Sequence, residues 1–324
     1  MPKTFTNLAR HALNGPTMGT RWSALFHMPF DFKAAEVDAA MANAVAQVDQ
    51  QMSTWKPDSD LNRLNRATLG EWISLPEQLM NVLQAGLSIG EASDGAFDIG
   101  MGDAVTAWGF ATADADETAI KAARIKCRSP TYHTLELDIA NRRARKHAAM
   151  YLDLNGIAKG YGVDRLVDVA RLHGVEAGLF AIDGELLALG TQPDGRAWAI
   201  AIERPDRHER APRSIIELSE AAIATSGDYR HWVAVGGHRL SHTMDPRLGM
   251  PLQNPPASAT VIAGDGMSAD AWATAMMVLG EQRGLELARK FGLSVLFLYH
   301  SQQKTAGCGI FIEQAARQST YEPF

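Results

Sequence analysis

Cysteine is scarce in this chain: its 324 residues contain two, Cys127 and Cys308. They lie far apart, with no Cys-x-x-Cys or Cys/His spacing. That pattern fits two free thiols in a reducing compartment and leaves a single disulfide open. Basic excess is also lacking. A net charge of -6 and a pI near 5.9 argue against a dedicated nucleic-acid binder. No apolar run continues beyond about a dozen residues, too short to cross a bilayer as a helix. Met1 to Gly15 carries Lys3, Arg10 and His11 but neither a signal-peptide apolar core nor a lipid-anchor cysteine. As written, the chain is expected in the cytoplasm, or in the periplasm if an export signal has been removed. There is no internal repeat, low-complexity tract or linker, so a single domain is expected over 1–324, with residues 1–16 as an N-terminal extension. What the chain does have is 46% hydrophobic residues, enough for a sizeable core.

Its texture changes along its length. Gly19 to Met28 alternates Trp22, Ala24 and Phe26 with smaller or more polar neighbours and reads as a strand ended by Pro29. Val37, Met41, Val45 and Val48 are spaced as on one face of a helix over Ala34 to Met52, and a second helix is predicted from Pro76 to Ala92. Between them a polar stretch broken by Pro57 reads as a loop leading into a short helical turn. From Tyr132 onward short β-like runs dominate: Thr134 to Ile139, Tyr151 to Leu154, Gly178 to Ile182, Leu186 to Leu189, Ala197 to Ile202, Ile215 to Leu218 and Ala221 to Thr225. Asp183-Gly184, Asp194-Gly195 and Gly236-Gly237 are hairpin-type turn signals among them. A helix from Ile157 to His173 interrupts the series, a late one covers 268 to 279, and a strand follows from Leu293 to Tyr299. Residues 203 to 213, rich in Arg, Glu and Pro, read as an exposed excursion. Helices segregated from hairpin-linked strands predict an α+β fold, a layered domain of mostly antiparallel sheet with packed helices.

The late helix carries the strongest chemical signal. Ser268 to Leu279 is apolar nearly all round, with Asp270 and Thr274 its only strongly polar groups after the opening serine. Four residues apart, they share one face. An all-apolar helix is expected to be buried, and a buried carboxylate costs several kcal/mol unless a charge or donors meet it. Carboxylate and hydroxyl oxygens are ligands that Mg²⁺ prefers. The alternative is that Asp270 caps the helix start and Thr274 bonds its own backbone.

Three other segments could carry chemistry. Tyr151-Leu152-Asp153-Leu154-Asn155-Gly156-Ile157-Ala158-Lys159-Gly160-Tyr161 runs through a glycine turn into a helix, a geometry that suits a phosphate or diphosphate. It also fits a plain turn with a surface lysine. His242, in Ser241-His242-Thr243-Met244-Asp245-Pro246, has the side chain suited to proton transfer near neutrality, or is a structural strand histidine. Gly95-Ala96-Phe97-Asp98 and Ala107-Trp108-Gly109-Phe110 set aromatics beside small residues, which can sandwich a planar heterocycle or simply pack the core.

In order, Thr17-Met18-Gly19-Thr20, Met52-Ser53-Thr54-Trp55, Gly95-Ala96-Phe97-Asp98, Asp153 through Gly160, Thr225-Ser226-Gly227-Asp228, Ser241 through Pro246 and Ser268-Ala269-Asp270-Ala271 resemble the ApbE-type FAD:protein FMN transferases. The resemblance spans residues 17 to 280. It implies an α+β enzyme that binds FAD and Mg²⁺, cleaves the FAD diphosphate, and transfers FMN to a serine or threonine hydroxyl of an acceptor flavoprotein, releasing AMP. Carried over by position, Met18, Trp55, Ala96, Phe97 and Asp98 match a flavin or adenine pocket, and Asn155, Tyr161 and Met244 match further FAD contacts. Metal positions fall on the backbone oxygens of Ala158 and Ala273 and on Asp270 and Thr274, with Asp270 and His242 as the catalytic pair and His242 as the base. After Asp98 the chain departs from the family, reading Ile99-Gly100-Met101-Gly102 where a proline and a small polar residue are usual. An FAD pyrophosphatase and a non-catalytic FAD-binding protein are the competing readings.

Overall fold

The computed structural model describes residues 8–111, 114–206, 211–228, 232–235, 238–300 and 304–312. In chain order its first half contains β1 Leu8–Thr17, β2 Thr20–Pro29, α1 Ala34–Met52, α2 Asp60–Arg66, β3 Ile73–Ser74, α3 Glu77–Ala92, α4 Gly102–Ala107, α5 Glu117–Ile125, α6 Thr131–Thr134, β4 Leu135–Asp138, β5 Arg143–Lys146 and α7 Ala158–Leu172. There follow β6 Gly178–Ile182, β7 Glu185–Leu189, β8 Trp198–Glu203, β9 Pro212–Leu218, β10 Ala221–Gly227, β11 Trp232–Val235, β12 His238–Ser241, β13 Met244–Asp245, β14 Met250–Pro251, β15 Ser258–Ala263, α8 Gly266–Phe291, β16 Ser294–Leu298 and β17 Thr305–Cys308.

Eight strands form the central sheet in the order β1-β2-β6-β7-β10-β15-β16-β17, antiparallel throughout. Period-two alternation gives it two apolar faces. Trp22, Ala24, Phe26, Phe180, Ile182, Leu187, Ala224, Val261 and Phe297 pack beneath the helices, α1, α7 and α8 among them. On the opposite face Ala188, Ile223, Ile262 and Leu298 meet Trp198, Ile202, Ile216 and Leu218 of a separate β8–β9 ribbon. This is the expected α+β layering.

Several expectations change on contact with the fold. Residues 8–16, read as part of an extension ahead of the domain, belong to β1, one of the two outer strands of the sheet, in register from Leu8↔Pro29 to Thr17↔Thr20. Tyr151 to Leu154 is not a strand. It makes one parallel bridge, Met101↔Tyr151, its Asp153 N–H donates to the Ile99 carbonyl at 2.8 Å, and between the two a side chain holds it: Leu152 N–H donates to Asn65 Oδ1 (2.7 Å) and Asn65 Nδ2 donates to the Leu152 carbonyl (3.0 Å). Asp183-Gly184 does close the β6–β7 hairpin, whereas Asp194-Gly195 turns between strands of different sheets. Gly236-Gly237 and residues 207–210 of the excursion lie outside the described residues. The departure after Asp98 is a turn in which Gly100 N–H donates to Asp98 Oδ1 (2.7 Å) before α4 begins. Both cysteines are free, Cys127 exposed and Cys308 buried. Among the described residues no helix is long and apolar enough to cross a membrane.

Candidate functional site

α8 is buried as its composition demands: Ala269, Asp270, Ala271, Trp272, Ala273, Ala275, Met276 and Met277 are all buried. Its backbone breaks at Gly280 (φ 66°, ψ -174°), just beyond the apolar run. Asp270 does not cap it. The cap is Asp265, whose side chain accepts from Ser268 N–H at 2.7 Å. The first amides of α8 are met from α7, Asp164 accepting from Gly266 and Met267 at 2.6 and 2.9 Å. Burial pushes the Asp164 carboxyl up to about 7, against the pull of those two amides.

Freed from capping, Asp270 faces the start of α7, where its Oδ2 accepts from Gly160 N–H at 3.0 Å. The helices can approach this closely because Gly160 has no side chain; a Cβ there would lie 2.1 Å from the Gly266 carbonyl oxygen. Part of the anion-binding potential of the α7 start is therefore answered by the protein's own carboxylate. Thr274, one turn on, lies with its Oγ1 3.2 Å from Ser226 Oγ rather than turned to its own backbone.

Lys159 completes the corner. Its Nζ lies 2.9 Å from Glu185 Oε1 and 3.6 Å from Asp183 Oδ2. Burial works against its charge, but Glu185, Asp270 and Asp183 together hold the ammonium above the usual lysine range. Burial, opposed by Lys159 and the Gly160 amide, raises Asp270; burial and the Asp270 charge raise Glu185. Two buried carboxylates thus share one ammonium, and Glu185 Oε2 has no hydrogen-bond partner. One negative charge is in excess, a situation that a proton or a bound cation relieves.

This corner opens into a cavity of about 1480 Å³, larger than the few hundred to 1,000 Å³ typical of a single small-ligand site. Of the residues singled out in the sequence, Met18, Trp55, Ala96, Phe97, Asp98, Asn155, Ala158, His242, Met244, Asp270 and Thr274 line it. Tyr161 and Ala273 are not on its wall: Tyr161 is buried in the main core and Ala273 inside α8. Trp55 stands 60% exposed at the lip, and Asp98 is fixed by Gly100 and by the Thr131 hydroxyl and amide. Met18 occupies the β1–β2 turn at φ 45°, with Gly19 at φ 71°, and its thioether end lies against α7, 3.1 Å from where a Gly162 Cβ would sit. A bulky side chain in the left-handed region is uncommon and costs about 1 kcal/mol or more.

Three features escaped the sequence reading. Glu185 had a signal: it shares the parity of Leu187 and Leu189, both on the core face of β7, so a carboxylate there points inward. Asp164 and the cavity wall formed by Ile200–Glu203 of β8 gave none, since both depend on tertiary placement.

The donors suit Mg²⁺. They are hard oxygens, a buried carboxylate with surplus charge and a hydroxyl one turn away, and Gly156 keeps the hydroxyl uncrowded, a Cβ there falling 3.0 Å from Thr274 Oγ1. Among the described residues no cluster of three or more His, Cys, Asp or Glu side chains forms an all-protein cage. The set is thus a partial one, of the kind Mg²⁺ completes with water and phosphate oxygens.

The profile of the ApbE family matches residues 18–297. The FAD:protein FMN transferase of Vibrio cholerae is 33% identical over 314 residues, 96% of this chain and 92% of that protein. That of Escherichia coli K12 is 32% identical over 292 residues, covering 88% and 83%. Among solved structures, the flavin transferase ApbE from Vibrio cholerae superposes with a TM-score of 0.83 at 31% identity, covering 94% of this chain and 99% of that one. The apo flavinyl transferase ApbE of Pseudomonas stutzeri gives 0.81 at 34% identity, covering 97% and 98%. A match this long, in sequence and in fold, leaves no room for a chance assembly of short motifs, and the chain belongs to the ApbE family.

Proposed function

We propose that this protein transfers FMN from FAD to a serine or threonine hydroxyl of an acceptor protein, with Mg²⁺, releasing AMP. The observation that carries the reading is the crossing of α7 and α8, where buried Asp270 and neighbouring Thr274 border a cavity roomy enough for a dinucleotide and a second reactant. Names of the relatives support flavin transfer to a protein; the metal, the acceptor hydroxyl and the AMP product rest on the chemistry of the corner.

Asp270 and Thr274, with the backbone oxygens of Ala158 and Ala273, would hold the ion; for Ala273, inside α8, that requires its carbonyl to be shared with the helix. When bound, Mg²⁺ neutralises charge on the diphosphate and on the leaving phosphate. Lys159, held charged by its carboxylates, places an ammonium at the same corner. Phe97, Met18 and Trp55 supply apolar and aromatic surface for the ring systems. His242, half-buried on the cavity wall, takes the proton of the acceptor hydroxyl. That oxygen attacks the FMN phosphorus, a new P–O bond forms, the bridging P–O bond breaks, and its electron pair leaves with AMP.

Incubation with FAD, Mg²⁺ and an acceptor protein tests this. Transfer gives AMP and a flavin covalently bound to a Ser- or Thr-bearing peptide. Free FMN without labelled protein would establish a pyrophosphatase, and intact FAD a binding protein. Asp270→Ala should lower turnover about 100-fold or more; near-normal, metal-dependent activity would remove the assigned metal site. His242→Ala should slow transfer by about the same factor with FAD affinity little changed.

A further inference from the structure

Among the described residues β8 pairs with β9 alone, so its other side is a sheet edge. Ile200, Ala201 and Ile202, three residues in succession, line the cavity. Successive side chains of a strand point to opposite faces, so one cavity meets all three only by running along the strand's edge. Among the described residues, the backbone of 199–202 makes no hydrogen bond beyond the ladder to β9. Exposed edges are normally blunted by charge, proline or a bulge. Of the two outer strands of the central sheet, β1 carries Arg10, His11 and Pro16, and β17 is only four residues long. The run Ala199-Ile200-Ala201-Ile202 has none of these, and the one register shift lies past it, between Ile202 and Glu203. An unprotected edge is thus kept open on the reaction cavity.

We infer that the outer edge of β8 receives the acceptor as an extended segment, which joins the β8–β9 ribbon as a third strand and lays its hydroxyl in the cavity that His242 also lines. The inference rests on the transfer reading above and supplies what that reading lacks, a seat for the protein substrate. Main-chain hydrogen bonds give this mode its affinity, and alternate side chains give it specificity. On the face shared with Ile200 and Ile202, the incoming strand meets Leu186 and Ile223, the apolar part of the wall. The segment therefore carries small or apolar residues at every second position around its Ser or Thr.

The test uses the full chain with FAD, Mg²⁺ and a library of short synthetic peptides with a central threonine, labelled products being detected by covalent flavin fluorescence. The best peptide is resynthesised with one N-methyl amide at a time. Methylation of alternate amides should raise KM about tenfold or more, while the intervening ones stay within about twofold, because only every second N–H faces β8. Backbone amides between Ala199 and Ile202 should gain exchange protection when the peptide binds. Sensitivity without alternation, or peptides left unlabelled by enzyme that binds and cleaves FAD, would overturn edge docking. Failure to bind or cleave FAD would instead overturn the transfer reading itself.

Discussion

Gly160→Ala is the sharpest probe of the site's architecture. A Cβ at that position lies 2.1 Å from the Gly266 carbonyl oxygen, 2.5 Å from its carbonyl carbon and 2.7 Å from Asp270 Cβ. Carbon–oxygen contacts close at about 3.3 Å, so α7 and α8 must separate by about 1 Å. No side-chain rotation avoids this, because the nearest opposing atoms are backbone. Two effects oppose each other. Alanine is favoured over glycine in a helix by up to about 1 kcal/mol, while forcing a methyl into a closed contact costs about 1–3 kcal/mol or more. The contact should win, leaving a net loss of about 1–2 kcal/mol in urea unfolding with an unchanged m-value. Function should suffer more: separating the helices draws Asp270 from the Gly160 amide and from its proposed place at the metal, and a 1 Å misplacement can cost about 100-fold in rate. Gly264→Ala is the control, with nothing within 4 Å and no positive φ, and should stay within about 0.5 kcal/mol. If Gly160→Ala were as stable and as active as the parent, the glycine contact could not be what positions Asp270.

Protonation of Asp164 makes stability depend on pH. Its carboxyl is raised from 3.8 to about 7, so the folded protein holds this proton more tightly than the unfolded chain; the contribution is full below about pH 4, is lost as pH rises to about 7, and is capped at roughly 4 kcal/mol. The urea midpoint should fall over that window in the parent and less steeply in Asp164→Asn; equal slopes would refute the assignment. Met18→Asn, which tolerates the left-handed turn, should leave stability unchanged or raise it by up to about 1 kcal/mol while weakening FAD affinity in a fluorescence titration. Affinity equal to the parent's would remove Met18 from the flavin pocket. Lys159→Met should lower transfer about tenfold or more, and would have no effect if the Lys159–Glu185 pair served packing alone.

How far the sequence disclosed all this depends on whether the signal was local. Helix periodicity placed α1 at Ala34–Met52, and the polar pair on an apolar helix marked Asp270 and Thr274, because spacing and anomaly sit within a few residues. Pairing is not local. The run at Tyr151 has the apolar texture of a strand, yet beyond one bridge the partner of Leu152 is the Asn65 side-chain amide, 87 residues away, which no pattern at 151–154 encodes. Likewise Asp194-Gly195 announces a bend but not which strands it joins, and β1 passed for an extension because Arg10 and His11 obscure its alternation. Glu185 lies between these cases. As the first residue of β7 it was absorbed into the preceding turn, although its parity with Leu187 and Leu189 already placed a carboxylate on the core face. The same rule governs both acids: a charge at a position whose periodicity demands burial is not tolerated by packing, so it marks where the fold holds a counter-charge. Here Lys159 answers Glu185 directly and Asp270 only in part, both carboxylates border the cavity, and their one surplus negative charge is what a proton or a bound cation there relieves.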